Sequence, residues 1–200
     1  MYSKRSGYLL GFHGCDINVR NKIVSEKGII LKPSENTYDW LGNGIYFWEN
    51  NHERALQFAI DLKENPPKGK ENLIKNPAVL GAIIDLGYCL DLLDSKYLEV
   101  LKVSHKILCD SSEKFNFVLP KNIKTESGEL LLRNLDCAVI QTAHQININL
   151  QKPEYDSVRG VFFEGNDLYE NAGFKEKNHI QIAIRNQNCI KGFFIPRDLK

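Results

Sequence analysis

One run of seven residues, Gly42-Asn43-Gly44-Ile45-Tyr46-Phe47-Trp48, constrains the fold of this chain more than any other. The two glycines, one residue apart, supply the backbone freedom a turn needs. The four bulky β-branched and aromatic residues that follow have the character of a strand. Asn50, with Glu53 three positions on, reads as a capping box. Behind it Ala55, Leu56, Ala59 and Leu62 recur at helical spacing on one face. The expectation is a turn, a strand and a helix in immediate succession.

A similar unit precedes it. Residues 8–14 (YLLGFHG) read as a buried strand ending at His13, and Asp16 reads as the N-cap of a helix with Val19, Ile23 and Val24 inward and Gly28 as its stop. Residues 34–44 (SENTYDWLGNG) form a polar turn into the second strand. The stretch from Glu64 to Pro77 is rich in Pro, Lys and Asn without periodicity and is expected to be an exposed loop. Residues 78–87 (AVLGAIIDLG) then read as a core strand. Two helices are expected next: Ser95 to about Cys109, with Leu98, Leu101 and Leu108 inward, and Gly128 to about Ile146, with Leu131, Leu135, Ala138 and Thr142 along its face. The last third changes to three short β-rich runs, VRGVFFEG, HIQIAIRN and CIKGFFIPR, the last two joined by a tight polar turn at Gln187 and Asn188. This order predicts an α+β fold with helices packed around a split sheet. The 200 residues, 42% of them hydrophobic, suffice for one core, so a single domain over 1–200 is expected.

Composition narrows the function less than the motifs do. The 26 Lys+Arg against 25 Asp+Glu leave a net charge of +1, which excludes a global field drawing the chain to nucleic acid or an anionic membrane and leaves a local basic groove open. The start, MYSKRSGYLLGFHG, has an apolar run too short for a signal-peptide core or a membrane span, so a soluble, cytoplasmic protein without a membrane partner is expected. Cys15, Cys89, Cys109, Cys137 and Cys189 are scattered and form no C-x-x-C pair, which favours free thiols in a reducing compartment. His13, His52, His105, His144 and His179 show no metal-ligand spacing, and no metal is expected.

Three pieces place a polar residue at a strand end within an apolar frame: Phe12-His13-Gly14, Gly42 to Phe47, and His179-Ile180-Gln181-Ile182. Taken singly each has a plainer explanation. A histidine after an apolar strand is more often a hydrogen-bonded structural residue, a tyrosine between Ile and Phe more often core, and a glutamine alternating with isoleucines more often the solvent side of a half-buried strand. Together they resemble the ADP-ribosyltransferase superfamily, in the branch typified by poly(ADP-ribose) polymerases. The matching elements are the H-G pair at His13-Gly14, the G-x-G-I-Y-F signature at Gly42 to Phe47 with a helix behind it, and the late strand bearing Gln181. The tail RGVFFEG…HIQIAIRNQNCIKGFF is similar to that of uncharacterised bacterial proteins in a His-Tyr-Gln variant of this branch.

The resemblance implies an ADP-ribosyltransferase-like split sheet and an enzyme that consumes NAD as substrate. It implies that His13 contacts the adenosine ribose, that the backbone of Gly14 meets the nicotinamide carboxamide, and that Tyr46 and Phe58 stack on the two faces of the nicotinamide. Gly44 belongs to the same binding signature. Ala55 stands where the family has a serine that bonds the carboxamide, which implies looser nicotinamide binding. Gln181 stands where the family usually has Glu; its carbonyl can hold the ribose 2′-hydroxyl, but it is no base near neutral pH. His179 lies on the same strand face by period two and is the alternative match to the family acid. Glu164, Asp167, Glu170 and Glu176 in the preceding loop are further candidates for a base, Glu164 first because it follows the apolar strand directly. Their ordinary explanation is loop solvation. The implied reaction is mono-ADP-ribosyl transfer to a macromolecular acceptor, protein or nucleic acid. An NAD glycohydrolase toxin and a catalytically inactive module that binds NAD or ADP-ribose are the alternatives, and bacterial toxin or phage-defence biology with a possible antitoxin is the implied context.

Overall fold

The computed structural model describes residues 7–67, 73–124 and 130–197. Positions 68–72 of the expected exposed loop, and Gly128, the expected start of the last long helix, lie outside the described residues.

The first strand, β1 (Leu9–Asp16), runs three residues past His13 and ends on Asp16, whose carboxylate accepts the N–H of Asn18 at 2.9 Å and so caps α1 (Ile17–Ser25). The same carboxylate accepts the N–H groups of Lys75 and Asn76, both at 2.9 Å, which pins the approach to β3 (Pro77–Ile84). These bonds hold the Asp16 carboxyl below the usual carboxylate range. Ile23 is buried on α1, whereas Val19 and Val24 are exposed, and Gly28 turns the chain at φ 81° beyond the helix end.

The second unit follows as expected apart from its cap. Strand β2 (Ile45–Glu49) leads to α2 (His52–Glu64), but Asn50 adopts a left-handed φ of 52° and the capping falls to Asn51, whose side chain accepts the N–H of Arg54 at 2.9 Å. Ala55 and Ala59 are fully buried and let α2 lie close against the sheet.

A three-residue strand, β4 (Cys89–Asp91), which the sequence reading passes over, precedes α3 (Ser95–Phe115). This helix extends beyond Cys109 to a left-handed cap at Asn116, and Leu98 on it is exposed rather than inward. The next helix begins later than expected. Residues 130–133 are not helical: β6 (Leu130–Arg133) pairs antiparallel with β5 (Asn122–Lys124), and α4 spans Asn134–Asn149. The reason is tertiary, since the Asn122 side chain accepts the N–H groups of Leu135 and Asp136 at 2.9 and 3.2 Å and caps α4 from across the hairpin. The face that α4 buries carries Ile140, Ala143, His144 and Asn147, and Leu131 is exposed on β6.

The last strands are β7 (Ser157–Phe162), β8 (His179–Ile184) and β9 (Ile190–Phe194), with a single 3-10 turn at Gln187–Cys189. That turn joins β8 to β9 without making them neighbours. The main sheet has the order β4-β7-β8-β2-β1-β3-β9, so β9 crosses to the far edge and pairs with β3. The architecture of the described residues is α+β: a seven-stranded, mostly antiparallel sheet with four helices. One face packs Ile45, Phe47, Leu80, Ile84, Ile182 and Ile184 beneath α1, while the other packs α4 over Val158 and Ala183 and α2 over Phe12 and Trp48. No described helix is long and apolar enough to cross a membrane.

Two buried ionisable groups bear on stability. Arg159 of β7 is 2% exposed and binds both carboxylate oxygens of Glu49 at the end of β2, at 2.5 and 3.0 Å, and Asp91 of β4 at 3.2 Å. Removing it takes the buried cation from two carboxylates, so Arg159→Met should lower the unfolding free energy by about 3–5 kcal/mol in urea titration. His144 is 2% exposed and neither ring nitrogen has a partner; burial, aided by Arg185, pushes its pKa down to about 3. The unfolded chain therefore gains a proton at this ring, below about pH 6.5, that the folded chain refuses. This contribution to stability is intact above that pH and is lost as pH falls from 6.5 toward 3, by up to about 1.4 kcal/mol per pH unit. A His144→Leu variant should show a visibly flatter dependence of stability on pH between 6.5 and 4.

Candidate functional site

Strands β1 and β3 pair over eight residues, but β1 and β2 pair at only two positions, Gly11 with Glu49 and Phe12 with Trp48. Beyond them a side chain replaces the backbone ladder: His13 Nδ1 lies 2.7 Å from the carbonyl of Tyr46. A carbonyl only accepts, so Nδ1 carries the hydrogen and Nε2 keeps a lone pair. Burial depresses the His13 pKa against this bond and keeps the ring neutral near pH 7. Strand alternation puts His13 on the face of Phe47, its edge-on neighbour at 5.9 Å, and Tyr46 on the opposite face.

Tyr46 is a structural anchor as well as a site residue. Its hydroxyl accepts the N–H of Leu41 at 2.8 Å and donates to the carbonyl of Gly42 at 2.6 Å, which closes the turn that leads into β2, and burial raises its pKa. The glycines around it serve packing. Gly42 turns at φ 73°, and Gly44 exchanges both backbone bonds with Ser34 while β8 lies against its missing side chain. A Cβ at Gly14 would collide with the carbonyl of Ala55, so the bare backbone there, like the small Ala55, is what lets α2 sit on β1.

Gln181 stands on β8 opposite Trp48 of β2 and Gly160 of β7, on the face shared by Tyr46, Trp48 and His179. His179 is 5% exposed. Its Nδ1 donates to the Lys177 carbonyl at 2.6 Å, its Nε2 has no partner, and Phe162, Trp40 and Trp48 surround the ring at 5.8, 6.4 and 6.4 Å. Burial lowers its pKa; the Lys177 carbonyl and Glu164 oppose this, while Arg54 and Arg133 reinforce it. Glu164 accepts from Arg54 through both oxygens, at 2.9 and 2.7 Å, and Lys177 reaches Asp61 of α2 at 3.4 Å, so the ends of the loop before β8 are tied to α2. Asp167, Glu170 and Glu176 stay exposed in that loop.

The sequence reading missed five residues here. The guanidinium of Arg133 lies over the adjoining rings of Trp40 and Phe162, 4.3 and 4.9 Å from their centres, and Arg54 lies 5.8 Å from the centre of the Trp48 ring, which also packs against Phe58 at 4.8 Å. The aromatic surface beside Tyr46 is thus Trp48 with Phe58 behind it. The signals in the sequence were Trp48, closing the G-x-G-I-Y-F run, and an arginine on the inward side of α2. Arg54 Nε and Nη1 and Trp48 Nε1 are buried without acceptors. Such unmet donors cost about 1–3 kcal/mol each, the mark of a site kept for something other than stability.

Two concavities flank the turn at 34–44. One of about 490 Å³ is bordered by Trp40, Leu101, Lys102, Arg133, Ile140 and Phe162, and one of about 690 Å³ by Asn36, Asn43, Lys121, Asn134, Cys137 and Gln141. Neither includes His13 or Gln181. Among the described residues no group of three or more His, Cys, Asp or Glu side chains is arranged to hold a metal ion.

Compared with known proteins, the chain is 26% identical over 194 residues to an uncharacterized protein of Methanocaldococcus jannaschii, an alignment covering 90% of this chain and 83% of the relative. No family model and no solved structure matches it.

The anchoring role of Tyr46 is directly testable. Tyr46→Phe strands the Leu41 N–H and the Gly42 carbonyl and should lower stability by about 1–3 kcal/mol in thermal or urea unfolding, with the circular dichroism spectrum unchanged. Gly14→Ala should destabilise as well, because α2 must move off β1 to admit one methyl group.

Proposed function

We propose that this chain is an NAD-dependent mono-ADP-ribosyltransferase that cleaves the nicotinamide–ribose bond and passes ADP-ribose to a macromolecular acceptor, protein or nucleic acid. The observation that carries the proposal is the seam between β1 and β2. There a sheet continuous elsewhere is joined by two residue pairs, and the His13 side chain reaches the Tyr46 backbone where the ladder lapses. Gln181, one strand further, occupies the same face as Tyr46.

In this reading the half-buried Tyr46 ring offers a flat surface to the nicotinamide, which is cationic until its bond to the ribose breaks. The Gln181 amide oxygen turns its dipole toward the positive charge that develops on the sugar and accepts a hydrogen bond from a ribose hydroxyl. His13, neutral and on the opposite face, serves by fixing the Tyr46 carbonyl at the seam. Gly14 and Gly44 act through packing, and Ala55 through its small size.

The test is nicotinamide release from NAD by the purified protein, with and without cell protein or RNA extracts. Release should rise with one extract and fall roughly 100-fold in Gln181→Ala. It should also fall in Tyr46→Ala. Release independent of any extract would mean a glycohydrolase; ADP-ribose binding without release would mean a binding module; the absence of both would refute the assignment.

A further inference from the structure

We infer that His179 is the base that removes the proton from the acceptor in this reaction, and that the acceptor group is a neutral O–H or N–H; the inference rests on the transferase reading above. Transfer needs such a base, and Gln181 cannot be one. Three observations point to His179. It lies two residues from Gln181 on the same strand and the same face. The Lys177 carbonyl fixes its tautomer, with hydrogen on Nδ1 and a lone pair on Nε2. That Nε2 is buried and has no partner, which in a protein interior is unusual for a group without a task.

The other candidates fit less well. His13 has the same tautomer lock, but strand alternation puts it on the opposite face from Gln181. Glu164 spends both oxygens on Arg54, which makes it a poor base and a good counter-charge. The groups around the His179 ring divide accordingly: Glu164 favours its protonated form, Arg54 and Arg133 oppose it, and Trp40, Trp48 and Phe162 exclude water. A cationic acceptor such as an arginine side chain would lose its hydration among Trp40, Trp48 and Phe162 with no free carboxylate to replace it, since Glu164 is spent on Arg54, which is why the acceptor group is neutral.

The step balances without a further reagent. The acceptor oxygen or nitrogen bonds to the ribose C1′ as the bond from C1′ to the nicotinamide nitrogen breaks, and the electron pair of that bond discharges the pyridinium. The acceptor proton moves to His179 Nε2, and the imidazolium returns it to solvent when the product leaves.

The experiment follows label from adenylate-labelled NAD into cell RNA and cell protein, alongside nicotinamide release without acceptor. In His179→Gly, labelling should fall roughly 100-fold or more, and acceptor-free release should fall with it, because water is itself a neutral O–H acceptor. Added imidazole should restore labelling to this variant and not to Gln181→Ala. The rescued reaction should follow the titration of imidazole, whereas the wild-type reaction should persist to lower pH. Should the glycine variant fail to fold, His179→Gln carries the same expectation of lost labelling. Labelling that survives either substitution, or a loss in a folded His179→Gly that imidazole does not repair, overturns the inference alone. A wild-type protein that neither releases nicotinamide nor labels either pool overturns the transferase reading and this inference with it.

Discussion

A guanidinium almost sealed from water sets the shape of this molecule. Arg159 grips Glu49 with two hydrogen bonds and Asp91 with a third, so three strands, β7, β2 and β4, meet at one charge. Neither the cation nor the two carboxylates could be left in that interior alone. Glu49 is also the residue through which β2 first pairs with β1, opposite Gly11. The clamp therefore closes one end of the β1–β2 seam. At the other end the bond from His13 Nδ1 to the Tyr46 carbonyl holds the seam in place of the backbone ladder.

The site borrows its rigidity from this arrangement. Helix α2 presses on β1 because Gly14, Ala55 and Ala59 leave it room, and it carries Arg54 to Glu164 and Asp61 to Lys177. Both partners belong to the loop that delivers His179 and Gln181 to β8. The aromatic residues fill the space between: Trp48 against Phe58 and Arg54, Trp40 and Phe162 around Arg133. Polar atoms without partners occur here on Trp48, Arg54 and His179, as they do elsewhere on His144 and Arg185. Stability alone would have selected apolar side chains there.

How much of this could be read from the sequence depends on distance along the chain. The strand at Ile45–Glu49, the helix behind it and the cap at Asp16 were legible because each is decided by neighbours within a few residues. Strand β4 was not, since three residues carry no periodicity and its identity comes from pairing with β7 far along the chain. Leu130, Leu131, Leu132 and Leu135 imitate a helical face, and only the pairing with β5 and the cap from Asn122 reveal a strand followed by a helix. The three strands of the candidate site were legible as motifs. Their chemistry was less so: the Arg54–Glu164 pair spans 110 residues, and the tautomers of His13 and His179 depend on carbonyls no motif records. Gly14 and Gly44 also have a packing role that no motif records, leaving room for a helix and a strand.

One rung of the main sheet is made by an imidazole instead of a peptide group. The bond from His13 Nδ1 to the Tyr46 carbonyl survives both charge states of the ring, since the neutral tautomer and the imidazolium each keep hydrogen on that nitrogen. Acid therefore alters what Nε2 offers without cutting the rung. Only a change of side chain removes it, and β1 and β2 would then be joined by backbone at the Glu49 end alone.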